Sequence, residues 1–262
     1  MEIKNKRILI TGGAGFIGFH LTKKLSKKNK IFLLDNLSRG QFDSDFRDLL
    51  KNKNIIFKKI NLNKKINFRI SKIDYVFHLA GSVGVRNIET ASYRSFINNV
   101  NSLKSLINFC LNNNKKVKFI LFSTSEVYSN LVKQKKVKFP ISEKNNIIIE
   151  NKIIERDSYF LSKIFNEKLI QLSKIDHIIL RPHNIYGPRM GFSHVIPELI
   201  KKLSLEKKGK EKNTGVYSPA HTRAFCFIDD AITQILSLAA NKKIINDIFN
   251  IGNMYEEIKI FD

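Results

Sequence analysis

"TGGAGFIG", residues 11–18, follows "RILI" directly and brings four glycines into eight residues behind a run of β-formers. Residues 13–18 read G-x-G-x-x-G, and the segment after them, 16–28, carries Phe16, Ile17, Leu21 and Leu25 on one helical face. A strand, a glycine turn and an amphipathic helix in that order make a cradle for a dinucleotide. In this reading Gly13 allows the tight turn, Gly15 admits the pyrophosphate to the backbone, and Gly18 lets the helix pack closely on the sheet. The unpaired N–H groups of the helix start then face the phosphates.

Outward from that turn, the chain alternates strand and helix. "KIFLLD" (30–35), "NIIFKKIN" (54–61), "IDYVFHLA" (73–80), "VKFILFST" (117–124) and "DHIILRP" (176–182) read as further strands, with helices over about 93–112 and 158–173. The strands are continuous apolar runs, as expected when both faces of a parallel sheet are covered. The expected fold is α/β, a doubly wound parallel Rossmann-type sheet, with the nucleotide-binding domain over 1–184 and a smaller, incomplete C-terminal substrate lobe over 185–262. Residues 130–157 read as a mobile loop, 206–215 as an exposed hairpin or loop, and the helix after "TRAFCF" as capped near Asp229. Asp35 ends the second strand about 20 residues past the glycine turn, where a carboxylate accepts from ribose hydroxyls and repels a 2′-phosphate. NAD is therefore expected over NADP, with Arg39 nearby as the one opposing feature.

The net charge of +23 comes mostly from scattered lysines, and no nucleic-acid-binding motif accompanies it. Its expected role is a field that attracts an anionic substrate, with no nucleic acid as partner. No apolar run is long enough to span a bilayer and the N-terminus lacks a signal-peptide pattern, so no membrane insertion and a cytoplasmic location are expected. Cys110 and Cys226 match no metal or redox spacing, and no metal is expected. "SYFLSK" places Tyr159 and Lys163 four apart on one helical face, where a nearby ammonium should lower the phenol pKa and ready it as a base. "FSTSEVY" (122–128) stands at the C-terminal edge of a strand, where open sheets bind ligands.

These stretches, with LLDNLSRG (33–40), HLAG (78–81), RPHNIYGPRMG (181–191), TRAFCFIDD (222–230) and FNIGN (249–253), resemble the extended short-chain dehydrogenase/reductase family of NAD-dependent nucleotide-sugar epimerases, dehydratases and decarboxylases. The resemblance implies Tyr159 as base, Lys163 on the nicotinamide ribose, Thr124 as hydroxyl partner and Glu126 as a further catalytic group. It adds Gly12, Phe16, Ile17, Asn36, Leu79 and Ala80 to the cofactor contacts. It places Ser125, Arg156, Asn184, Arg189 and Arg223 around a nucleotide-sugar substrate, UDP-linked in this reading, with Arg156 receiving a substrate carboxylate. It also implies a homodimer built on the helices at about 93–112 and 158–173, with Ile97, Val100, Leu103, Leu106 and Ile107 supplying apolar surface. Asn61 stands where the family carries Asp, Ser129 where it carries Gly, and family chains continue past the FNIGN stretch. Thr-Ser-Glu at 124–126 resembles UDP-glucuronate decarboxylases and also GDP-mannose dehydratases, "GPRM" and "TRAF" resemble the decarboxylases, and "GSVGVR" (81–86) resembles UDP-sugar 4-epimerases. A 4,6-dehydratase and a non-catalytic NAD sensor or scaffold are the other readings.

Overall fold

The computed structural model of the chain describes residues 2–40, 42–64, 66–68, 70, 72–82, 91–113, 116–137, 139–192, 194–207, 222–255 and 257–259. The "GSVGVR" stretch beyond Ser82 and the 206–215 stretch beyond Lys207 lie outside these residues. The opening unit is β1 (Arg7–Thr11), α1 (Phe16–Leu25) and β2 (Lys30–Asp35). There follow α2 (Ser44–Leu50), β3 (Ile55–Lys59), β4 (Tyr75–His78), α3 (Ser92–Asn113) and β5 (Lys118–Phe122). After β5 come a 3-10 turn (Ser125–Tyr128), α4 (Ser129–Lys133), α5 (Asp157–Leu172), β6 (His177–Pro182), β7 (Ile185–Tyr186) and α6 (Val195–Lys207). The remainder holds β8 (Thr222–Arg223), β9 (Cys226–Phe227), α7 (Ile228–Ala240), β10 (Asp247–Ile251) and β11 (Ile258–Lys259).

Seven strands form one sheet in the order β10-β6-β5-β4-β1-β2-β3, and every neighbouring pair runs parallel. Burial on both faces is visible residue by residue along β1. Ile8 and Ile10 join one core cluster with α1, α2 and α7, while Leu9 joins another with α3 and α5. Side chains alternate across a strand, so a run of three apolar residues feeds two cores at once. Strand order reverses between β1 and β4, which places a crevice at their C-terminal ends.

The sheet crosses the expected boundary at 184/185. β10 comes from the expected lobe, yet it pairs with β6 through Asp247↔Ile178 to Ile251↔Pro182. Its Ile251 and Ile248 enter opposite clusters, and α7 packs beside α1 in the first cluster. The physical reason is the β6 edge: its backbone groups need a partner, and a short apolar strand supplies one.

Two local expectations are corrected. α7 begins at Ile228 with Phe227 as its N-cap and no side-chain cap bond, so Asp229 and Asp230 lie inside the first turn, where they favour the helix dipole. Residues 130–157 are anchored: α4 occupies their start, Ile141, Ile147 and Ile148 pack against Tyr128, Leu131 and Phe160, and Asn130 donates to the Ile148 carbonyl at 3.0 Å.

Candidate active site

A cavity of about 940 Å³ opens at the crevice, near the upper end of the roughly 300–1,000 Å³ usual for ligand sites. One wall is the glycine turn. The residue with the left-handed backbone is Gly12, at φ +72°, and not Gly13. Gly13 is instead held small by packing, since a Cβ there would stand 2.0 Å from Leu33 Cδ1. At Gly18 a Cβ would stand 2.2 Å from the Gly12 carbonyl oxygen, so α1 and the turn are in backbone contact. Gly15 caps α1 without a side-chain hydrogen bond, leaving the first-turn amides of α1 directed at the cavity that Gly15 and Phe16 line.

Asp35 fixes this wall from behind. One carboxylate oxygen accepts from Ala14 N at 2.9 Å and the other from Leu37 N at 2.7 Å. A carboxylate offers about four lone-pair sites, so acceptor capacity remains toward the cavity it lines. Ile17, Asn36, Leu79 and Ala80 line the same space, and Ala80 N donates to the Thr11 hydroxyl at 3.2 Å. Asn61 lines it too, but its side-chain oxygen accepts from Asn63 N at 3.0 Å. A backbone cradle at a helix start, a carboxylate at the second strand end and this volume together fit a dinucleotide.

The opposite wall is the exit of β5 beneath α5. Thr124 accepts from Glu126 N at 3.2 Å, and its hydroxyl lies near enough to the Tyr159 phenol to pull its pKa down. Lys163 is 5% exposed; its ammonium donates to the Phe122 carbonyl at 2.8 Å and lies 5.9 Å from the Tyr159 ring centroid. Burial lowers the Lys163 pKa to about 8, with Glu167 pulling it back up. The Tyr159 pKa is raised, against the sequence expectation. Enclosure of the phenol dominates and the Glu126 charge adds to it, while the Thr124 hydroxyl and the Arg39 charge oppose both. The lysine aims at the Phe122 carbonyl, so its charge does not offset that desolvation.

Glu126 opens onto the cavity, and surrounding protein raises its pKa while Arg156 pulls it down. Arg156 itself is exposed and lies outside the cavity lining. Ser125 and Asn184 line the cavity, the latter also accepting Cys226 N at its main-chain oxygen, 3.1 Å away. Arg189 lines it as well, but its guanidinium is already engaged, 2.7 and 2.8 Å from the two Asp43 oxygens and 4.1 Å from the Phe19 ring centroid. Arg223 lies on β8 outside the lining, with its guanidinium donating to its neighbour Thr222's carbonyl at 2.7 Å.

Sequence reasoning missed two cavity groups. Arg39 appeared there only as a mark against NAD. In the structure its side chain nears Gly191, where a Cβ would lie 3.9 Å from its terminal nitrogen, and its charge acts on both Tyr159 and His194. His194 lines the cavity from the start of α6, and burial followed by the Arg39 charge lowers its pKa. Neither carries a local motif; the chain brings them together only on folding.

The expected dimer face divides in two. Leu103, Leu106 and Ile107 are buried against their own sheet, while Ile97 and Val100 are half-buried. What α3 and α5 expose instead is Tyr93 at 78%, Leu111 at 43%, Phe165 at 50% and Leu172 at 79%.

With this geometry in place, the comparisons with known proteins converge. Residues 8–252 match the NAD dependent epimerase/dehydratase family, and the chain belongs to it. A dTDP-D-glucose 4,6-dehydratase of Dictyostelium discoideum is 35% identical over 96% of the chain, which spans 59% of that relative's length. A UDP-N-acetyl-alpha-D-glucosaminuronate decarboxylase of Bacillus cytotoxicus is 31% identical over 96% of the chain and 76% of its own length. Among solved structures, a tyrosine-to-phenylalanine mutant of a UDP-glucuronic acid 4-epimerase from Bacillus cereus, in complex with UDP-4-deoxy-4-fluoro-glucuronic acid and NAD, superposes with a TM-score of 0.79. It is 28% identical, over 98% of this chain and 80% of that one. No helix among the described residues is long and apolar enough to cross a membrane.

Proposed function

We propose that this chain is the NAD-dependent part of a nucleotide-sugar enzyme that acts through a 4-keto sugar, with decarboxylation of a UDP-linked hexuronate, UDP-glucuronate first, as its reaction. The carrying observation is Glu126 on the cavity wall, in electrostatic reach of Tyr159, with Ser125 before it. A 4,6-elimination expels a hydroxyl from C6 and gains from an acid beside the glutamate; Ser125 is a poor one. Loss of carbon dioxide needs no such acid.

NAD, when bound, supplies the hydride acceptor and later the donor at C4. The chain supplies the rest. Tyr159 removes the C4 hydroxyl proton, with Thr124 holding the reacting oxygen. The Lys163 ammonium grips the nicotinamide ribose. Once C4 is a ketone, the C5–carboxylate bond breaks and its electron pair delocalises into the carbonyl. Glu126, whose pKa is raised by its surroundings against the pull of Arg156, manages the proton that C5 takes up. Arg39, on the cavity wall with its charge acting on Tyr159, is better placed than the exposed Arg156 to receive the substrate carboxylate, and the positive charge of the whole chain draws such an anion in.

The second reading is a UDP-sugar 4-epimerase, favoured because Thr124, Tyr159 and Lys163 alone suffice for it. Incubation with UDP-glucuronate, UDP-glucose and UDP-N-acetylglucosamine separates the two. Carbon dioxide from UDP-glucuronate supports the first reading. C4 epimers without carbon dioxide overturn it in favour of the second. The assembly we infer is a homodimer through exposed Tyr93, Phe165 and Leu172 on α3 and α5, working in the reducing cytoplasm, where buried free Cys110 and Cys226 stay inert thiols. A monomer by light scattering at micromolar concentration would refute the dimer.

A further inference from the structure

The turn between β5 and α4 is short, and its own backbone holds it weakly. Val127 N meets the Thr124 carbonyl at 3.5 Å and Glu126 N meets the Thr124 hydroxyl at 3.2 Å, at or beyond the long end of the usual range. The exposed Ser129 hydroxyl adds one shorter bond, to the Glu126 carbonyl at 2.7 Å. Yet this turn presents Thr124 and Glu126 on the cavity wall. Where they stand must be fixed from outside the turn.

Both of its ends are tied to one buried ion pair. At the front, the Ser123 hydroxyl donates to Glu167 on α5 at 2.6 Å. At the back, Arg181 on β6 donates to the Tyr128 hydroxyl at 2.6 Å. Arg181 and Glu167 are joined by two further bonds, at 2.9 and 2.6 Å. The Tyr128 hydroxyl then donates to the Asn250 side chain on β10 at 3.1 Å. Asn250 is itself held, donating from its side chain to the Ile141 carbonyl at 2.8 Å and from its backbone to Glu143 at 2.7 Å. Tyr128, Glu167 and Arg181 are buried, and with Asn250 they lie outside the cavity lining. A buried ion pair contributes little to stability over an apolar pair of the same volume, so stability alone is a weak reason for this one.

We propose that Tyr128 is a positioning residue: held by Arg181 and Asn250, its hydroxyl fixes the back end of the turn and so sets where Thr124 and Glu126 present their oxygens to the sugar. The inference rests on the reading that Thr124 holds the reacting oxygen. Misplacement of a reacting group by about 1 Å can cost about 10²-fold in rate, so a turn with long internal bonds needs such a tether. The Tyr128 ring packs among Val127, Leu131 and Phe160, and phenylalanine at this position fills the same space. Only the tether is then lost. Through that one hydroxyl the outermost strand of the sheet reaches the reacting turn.

The test is steady-state kinetics on the UDP-sugar that the chain turns over, beside NAD affinity by calorimetry. It compares the unmodified chain, Tyr128→Phe, Asn250→Ala, Thr124→Ala, and Tyr128→Phe combined with Thr124→Ala. In Tyr128→Phe, kcat should fall about tenfold, KM should stay within about twofold and NAD affinity should hold, because the glycine wall is untouched. Asn250→Ala leaves Arg181 bonded to Tyr128 and should show the same split at about threefold. Thr124→Ala removes a group being positioned, so adding Tyr128→Phe to it should cost about threefold at most. Unchanged kcat in both Tyr128→Phe and Asn250→Ala overturns the inference. So does a Tyr128→Phe loss that persists undiminished beside Thr124→Ala, or one that NAD affinity follows in parallel. Unchanged kcat in Thr124→Ala, or no turnover of any UDP-sugar by the unmodified chain, overturns the reading of Thr124 and the inference with it.

Discussion

From Gly12 to Gly18 the cavity wall is largely backbone, whereas from Phe122 to Glu126, beneath α5, it is built from the buried hydroxyls of Ser123 and Thr124 and the exposed carboxylate of Glu126. The first wall recognises by shape: its amides are presented by a turn so tight that neighbouring backbones touch. The second acts by electrostatics: burial and the Glu126 and Arg39 charges shift the proton affinity of Tyr159, burial and Arg156 that of Glu126, and burial and Glu167 that of Lys163. Damage to the first should therefore depend on the size of what is added, and damage to the second on the charge or oxygen removed.

The largest effect should come from the second wall. Tyr159→Phe keeps the ring and deletes only the oxygen, so turnover of the true substrate should fall by about 10²–10⁴-fold with the thermal midpoint little changed. Steady-state kinetics beside a melting curve checks this; near-full activity would break the comparison. On the first wall, Gly18→Ala adds one methyl against the Gly12 carbonyl. It should lose about 1–3 kcal/mol of stability by overpacking, with NAD affinity falling alongside, as read by urea unfolding and titration. Asp35→Ala removes the acceptor of two loop amides and, in the proposed reading, of the cofactor ribose; NAD should weaken by roughly tenfold and the NAD-over-NADP gap should narrow. Tighter NADP than NAD binding by the unmodified chain would refute that role.

The smallest effect lies at the rim. Asp43 caps α2 through Phe46 N and pairs with Arg189, whose hydrogen bond is the main cause of its lowered pKa. A depressed carboxylate contributes stability that is complete above its unfolded value, about 4, and is lost as pH falls through the folded one. Asp43→Asn should flatten the acid limb of unfolding midpoints measured between pH 3 and 6, by less than about 1 kcal/mol at so exposed a pair.

Legibility in the sequence follows the same division. β1, β2, β5 and β6 were readable nearly to the residue because continuous apolar runs are what two-sided burial demands. The glycine motif was readable because backbone contact leaves a compositional trace, although the turn falls at Gly12 and not Gly13. α2 was missed: "SDFRDLL" is short and charged, and only Asp43 at its cap marks it. β10 was missed as a sheet member because "DIFNI" has no periodicity that tells its partner. The proton affinity of Tyr159 was read with the wrong sign, since a four-residue spacing names the neighbour but not where its ammonium points. Arg39, His194 and the Glu167–Arg181 pair depend on contacts between distant segments, which no local pattern carries.

The late arrival of β10 bears on synthesis of the chain. Its flanking Asn246 meets His177 across 69 residues, so β6 leaves the ribosome long before its outer neighbour exists. During that interval the "HIIL" run offers an open hydrogen-bonding edge to any extended segment nearby, including another nascent copy. A product that stops short of residue 247 never closes that edge and is expected to be recovered as aggregate.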